Sequence, residues 1–397
     1  MPPSRTQTTV MLGVAQTLSW ASSYYLPGVL AGPISHAIGV SYSMVFAAFS
    51  VALLVAAAMG PVAGRLIDHF GGRPVLITSN LAFAAGLTLL SQATQTSHLF
   101  IAWAVMGLAM GSGLYEAAFA TVVRLYGQEA RRAITGITLF AGFASTVGWP
   151  LSSYLESALG WRETCMVWAL LHLALGLPLN VLLPRAGPMA AVPPVDSAAA
   201  VRDVQTVAVG HQPLRRTAFL MAYVFAVSWF ISTAMAAHLP LLLQTSGATL
   251  AMAIAAAALV GPAQVAGRLV EYSFLKNAHP LLSARLAILA HPLAAVCLGL
   301  LGTPSVVAFT LLHGLGNGIL TIAVGTLPLK VFGAQGYGQR QGWLMVPARI
   351  VQAGSPFLFG MAIARWGTGA LWLSSLLGLS AFLALWAMHV ASAQSTH

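Results

Sequence analysis

The chain has 397 residues, of which 58% are hydrophobic and only 7% charged, against about 25% charged in an ordinary soluble domain. That balance excludes a soluble globular enzyme and points to an all-α membrane protein. The net charge of +10 would suggest nucleic acid in a soluble protein, but in a membrane protein its distribution along the chain decides, and no nucleic-acid partner is expected.

The opening MPPSRTQTTV carries one Arg and runs straight into a full-length apolar segment, so no removable signal peptide is read. Apolar stretches of about 20 residues, the length a helix needs to cross ~30 Å of hydrocarbon, recur along the chain. They are predicted near 10–32, 41–63, 74–95, 98–122, 133–158, 164–183, 217–243, 249–267, 281–302, 304–328, 342–364 and 368–391. Residues 1–183 are therefore read as one bundle of six spans and 217–397 as a second. The stretch 184–216, rich in Pro, Ala and charge, is read as a cytoplasmic linker. With both termini in the cytoplasm, every Lys and Arg except Arg162, Arg349 and Arg365 falls in the N-terminal tail, an even-to-odd loop or its edge. The positive-inside rule thus fixes the orientation and explains the basic charge.

The two bundles repeat one pattern. GRLID at 64–68 is answered by GRLVE at 267–271, and Gly136, Gly148 and Pro150 by Gly342, Gly354 and Pro356. Gly107 and Gly111 answer Gly314 and Gly318, and RLYG at 124–127 answers KVFG at 330–333. An internal duplication accounts for all of these.

Parallel six-helix repeats joined by a linker are a plan of secondary transporters. With GRLIDHFGGRP between spans two and three, the sequence resembles the major facilitator superfamily of bacterial 12-span type over essentially its full length. Gly64, Asp68, Gly71 and Arg73 occupy the signature positions. The resemblance implies twelve transmembrane helices in two six-helix bundles, related by a pseudo-two-fold axis along the membrane normal. It also implies a monomer in the bacterial cytoplasmic membrane that moves a small solute by alternating access, with no cofactor. By the same resemblance, Asp68 latches the helix beginning near Gly342, and Gly267, Arg268 and Glu271 form the repeated latch on the helix beginning near Ala133. The alternative is that both carboxylates are solvated loop charges.

Of eight acidic residues, only Glu116 lies well inside a span, roughly 12 Å from its cytoplasmic end at 1.5 Å per residue. A carboxylate there should face a water-filled cavity, be protonated or be paired, which makes Glu116, beside Tyr115, a proton-coupling or substrate residue rather than a structural one. Arg349 is the matching oddity in span eleven. Neither charge has a counterpart in the other half, where Phe143 answers Arg349 and Ile322 or Ala323 answers Glu116. Arg349 is read as a gate or anion ligand, against a snorkelling or structural cation. The two are expected to pair across the halves when the cytoplasmic side is closed. Trp20, Tyr24, Tyr25, Trp229, His313 and Asn317 are further cavity candidates, while His172, His238 and His291 are read as structural.

Trp103 stands where proton antiporters of the superfamily often carry Arg, and Trp149 splits their Gly-Pro pair, so drug efflux is not assigned. No phosphate-loop motif is present, and Cys165 and Cys297 suggest neither a metal site nor a disulfide. The expected function is proton-coupled secondary transport, with protons and a small molecule as partners. An uncoupled facilitator or a non-transporting receptor is the alternative, and the substrate classes left open are organic anions, drug-like compounds and metalloids.

Overall fold

The computed structural model describes residues 3–185, 197–275 and 278–388. Seventeen α-helices fill these residues, and several predicted spans are built from two of them. The first is α1 (Arg5–Ser22) and α2 (Pro27–Ile38), followed by α3 (Tyr42–Phe70) and α4 (Gly72–Ser91). The fourth is α5 (Thr96–Gly113) and α6 (Tyr115–Tyr126), the fifth α7 (Arg131–Ala141) and α8 (Ala144–Leu159), the sixth α9 (Trp161–Leu171) and α10 (Leu177–Val181). The second half holds α11 (Ser197–Thr245), α12 (Leu250–Ala258) with α13 (Val260–Val270), α14 (Pro280–Leu301), α15 (Val306–Phe332), α16 (Tyr337–Trp366) and α17 (Ala370–Trp386). Of the expected linker, 186–196 lie outside the described residues. From Ser197 the chain is helical and continues without a break into the seventh span.

Eight stretches among the described residues are helical, long and apolar enough to cross a membrane. One of them, Thr96–Leu159, contains both the fourth and fifth predicted spans. The protein is a multi-pass membrane protein, and its outward-facing surface carries large apolar side chains such as Leu54, Ile101, Leu170, Leu300 and Leu383, the chemistry that lipid requires.

Two hydrophobic cores form. One runs from Leu12 to Leu183 and the other from Met221 to Met388, and the first also takes in Leu329 and Tyr337 from the second half. The repeated glycines explain how helices within each half come together. A methyl on Gly107 or Gly111 of α5 would run into the Ala52 or Ala56 backbone of α3, and one on Gly314 or Gly318 of α15 would run into Val260 or Gln264 of α13. Small residues permit this close crossing, and the same crossing is made once in each half.

The halves meet tightly at the end of the molecule that carries Asp68. There α3 and α16 approach through glycine, and a methyl on Gly64 would collide with the Gly338 carbonyl. Between α3 and α4 the chain turns at Gly71 with φ +83°, a conformation that favours glycine.

Candidate functional site

At the Asp68 end, the carboxylate closes on the start of α16. Asp68 Oδ1 accepts the Gly338 N–H at 2.9 Å and Oδ2 accepts the Gln339 N–H at 2.8 Å. These are first-turn donors with no intrahelical acceptor, so the contact is a charge-assisted cap made by one half on the other. It falls four residues before Gly342, because the polar turn YGQRQ is already helical.

The repeated contact is made differently. Glu271 does not reach backbone N–H groups at Ala133. Its Oε1 accepts from Arg131 Nη2 at 2.8 Å, and Arg131 also donates to the carbonyls of Leu275 and Ala278. The physical reason lies in a 3-10 turn, Gly127–Ala130, that leads directly into α7. The first N–H groups of α7 therefore have carbonyls of that turn behind them, and a side chain takes the place of the free helix start. Arg268, expected in this contact, is buried, and its Nε and Nη1 find no acceptor among the described residues. Arg73 is half-buried on α4 and joins none of the ion pairs found among the described residues.

Deeper between the halves, Arg349 of α16 meets Glu116 of α6. Arg349 Nη2 donates to Oε1 at 2.9 Å and Oε2 at 3.1 Å, and the two side chains are only 5% and 14% exposed. Burial at this level strips water from both charges, so each needs the other. Arg349 Nη1 donates to Gln352 Oε1, and Gln352 Nε2 in turn donates to Tyr24 and Thr233. One hydrogen-bonded chain thus joins α6, α16, α11 and the break between α1 and α2.

Two helix breaks shape this region. Leu114 is extended (φ −82°, ψ −164°) and separates α5 from α6, which places Glu116 in the first turn of α6. The positive end of the α6 dipole therefore lies beside the carboxylate. Gln16 donates to the carbonyl of Gly113 that the break sets free. The second break, between α1 and α2, presents Tyr24 and Tyr25.

A series of aromatic rings runs beside the ion pair. The Arg349 guanidinium lies 5.1 Å from the Trp229 ring centroid. Trp229 is parallel to Trp20 at 6.3 Å, and Trp20 contacts Tyr115 at 4.8 Å, with Phe119 stacked beyond Tyr115 at 5.3 Å. Tyr25 packs on Trp20 and Tyr24. The indole Nε1 of Trp20 is buried without an acceptor among the described residues. A void of about 10 Å³, close to the minimum for one water, remains between Tyr115, Glu116, Phe119, Trp229, Thr321 and Val324.

The family model for the Major Facilitator Superfamily matches residues 12–346. The chain belongs to this superfamily. The 4-hydroxybenzoate transporter of Pseudomonas putida is 28% identical over 162 residues, 40% of this chain and 35% of that protein. Human monocarboxylate transporter 2 is 27% identical over 130 residues, 32% of this chain and 27% of that protein. The matched stretch thus spans about a third of these curated relatives. Among solved structures, the human organic anion transporter MFSD10 superposes with a TM-score of 0.70 at 17% identity, over 96% of this chain and all of that one. The E. coli fucose:proton symporter superposes at 0.71 and 14%, over 98% of this chain and all of that one. At these identities the likeness carries the fold.

In this Major Facilitator protein two candidates fall away from the ion pair or at its margin. His313 sits inside the second bundle, with its Nδ1 3.1 Å from His291 Nδ1, and His291 reaches Ser374 at 3.0 Å. Asn317 is one helical turn from Thr321 on α15 and shares its face. His172 bridges Ser22 and Asn80 within the first bundle. Sequence reasoning missed Gln352, Thr233 and Phe119. Gln352 could have been found as the residue three positions after Arg349, on the same helix face.

Proposed function

We propose that this protein is a secondary transporter, not an enzyme, that carries a small organic anion together with a proton across the bacterial cytoplasmic membrane by alternating access, with both termini in the cytoplasm. The observation that carries the reading is the buried Glu116–Arg349 pair bridging the two halves. An arriving carboxylate competes with Glu116 for the guanidinium. Once displaced, Glu116 is a buried carboxylate without its partner, and taking up a proton relieves that state. Anion and proton then bind as a neutral pair, and the link between α6 and α16 is released. Trp229 lies over the guanidinium, and Trp20, Tyr115 and Phe119 extend the aromatic wall from it, which suits an organic acid better than a metalloid. The names of the relatives, a 4-hydroxybenzoate transporter and monocarboxylate transporters, support the same substrate class.

Reconstituted protein should take up 4-hydroxybenzoate or a short monocarboxylate faster with an imposed proton gradient than without one. Glu116→Gln should abolish gradient-driven flux yet retain counterflow exchange, which needs alternating access but no net proton release. Equal flux with and without the gradient would favour an uncoupled facilitator, and absence of any flux for organic acids would end the substrate assignment.

A further inference from the structure

A second cavity lies at the Asp68 end, apart from the ion pair. It has a volume of about 370 Å³, at the lower end of the range for small-ligand sites, and its polar lining is Gln128, Arg131, His279, Thr326 and Lys330. No carboxylate is among its lining residues. Arg131 spends its two terminal nitrogens on Glu271 and on backbone carbonyls, while its Nε is buried and unpartnered among the described residues. His279 Nδ1 accepts the Leu281 N–H at 3.2 Å. The ring proton therefore sits on Nε2, and this buried donor also has no acceptor among the described residues. Lys330 stands exposed at the rim and makes no ion pair among the described residues. Burial, and after it the positive charges of Lys330, Arg131 and Arg285, hold the His279 imidazole below its ordinary range. The cavity thus presents one cation outside the ion pairs, Lys330, and two buried N–H donors, Arg131 Nε and His279 Nε2, without acceptors among the described residues.

We infer that this cavity binds a phosphate-bearing anion of about the size of a phosphoglycerol group. Its oxygens would accept from His279 Nε2, Arg131 Nε and the Lys330 ammonium, and the volume leaves room for a small organic substituent. Gln128 and Arg131 belong to the first half and His279, Thr326 and Lys330 to the second, so a bound anion bridges the halves. By linkage, any ligand that binds only the closed arrangement stabilises it. The site is a clamp on the Asp68 end, supplied either by a free phosphate ester or by the headgroup of an anionic lipid.

The test uses the full-length protein with its cysteines replaced and the reporter Ile134→Cys, since Ile134 is fully buried and packs against Gly325 across the two halves. Glycerol 3-phosphate, added to detergent-purified protein at matched ionic strength, should slow maleimide labelling saturably. Lys330→Gln should weaken that effect by about tenfold, the order expected for one charge-assisted hydrogen bond, and His279→Gln should weaken it too. Arg365→Gln, which removes an exposed cation at the far end of α16, should leave it intact, which separates this site from a general loss of positive charge. Should glycerol 3-phosphate be inert while phosphatidylglycerol nanodiscs slow labelling relative to phosphatidylcholine, and Lys330→Gln erase the difference, the ligand is a lipid. No response to either probe overturns the proposal, as does a response that survives both Lys330→Gln and His279→Gln. Because labelling needs no transport, its failure and the failure of the transport reading are distinct results.

Discussion

Replacing Asp68 with Asn removes one oxygen from a fork that now accepts two backbone N–H groups at 2.9 and 2.8 Å. The amide keeps one acceptor and turns an N–H donor toward the other donor. Losing one charge-assisted hydrogen bond is worth about 1.5–3 kcal/mol, and losing the attraction of a carboxylate to a helix start adds roughly 0.3–1 kcal/mol. The closed arrangement of the Asp68 end should therefore weaken by about 2–4 kcal/mol. At 1.4 kcal/mol per factor of ten, its equilibrium with an open arrangement moves by roughly 30-fold to several-hundred-fold. Labelling at Ile134→Cys in a background free of Cys165 and Cys297 reads that population directly. Leu87→Cys, fully buried in the first bundle, should stay unlabelled and so distinguishes opening from unfolding. A change of less than twofold at Ile134→Cys would refute the view that this cap holds the halves together.

Other perturbations follow the same logic. Glu116→Gln or Arg349→Gln alone strands a buried charge or its polar partner and should destabilise the protein by about 3–5 kcal/mol; the double variant should lose far less than the sum in thermal unfolding, and strict additivity would show that the pair carries no coupling. Gly338→Ala drives a methyl into the Gly64 carbonyl and Asp68 Oδ1, whereas Gly354→Ala meets only Leu358 at 3.7 Å; the first should raise labelling at Ile134→Cys and the second should not. Tyr337→Phe deletes a buried 2.7 Å bond to the Gly325 carbonyl within the second half, worth about 1 kcal/mol, and should lower thermal stability by that order while leaving labelling at Ile134→Cys unchanged; raised labelling would show that this bond also supports the closure.

The helices and their repetition were legible because hydropathy and glycine spacing are properties of composition. Gly107 and Gly314 mark the same close crossing in both halves, and a missing side chain is visible in a sequence. Helix ends were less legible. The start of α16 lies before Gly342 because a polar first turn can be helical outside hydrocarbon, and hydropathy records only where the apolar part begins. The break at Leu114 left little trace, since an extended leucine has the composition of a helical one; only the flanking Gly111 and Gly113 hinted at it. Glu116 and Arg349 stood out as isolated charges in apolar spans. Their connection to Gln352, Thr233 and Tyr24 depends on how separate helices are rotated against one another, which no single helix pattern records. Glu271 shows the limit of repetition: duplicated letters were kept while the opposite helix start was rebuilt around Arg131.

The break at Leu114 divides the electrostatic support of Glu116 into two parts of different kind. One part, the α6 dipole, belongs to the same rigid half as the carboxylate and travels with it however the halves move. The other, the Arg349 guanidinium, belongs to the opposite half and, in the transport cycle proposed above, is left behind. The travelling part sets a baseline common to every arrangement, so it offsets part of the cost of burying the carboxylate between the halves without favouring one arrangement over another. Only the detachable part differs between arrangements, and only a difference can tie the charge on Glu116 to the position of the helices. A continuous fourth span would have left Arg349 to supply both, and its departure would have exposed the carboxylate to the full penalty of burial at every separation of the halves.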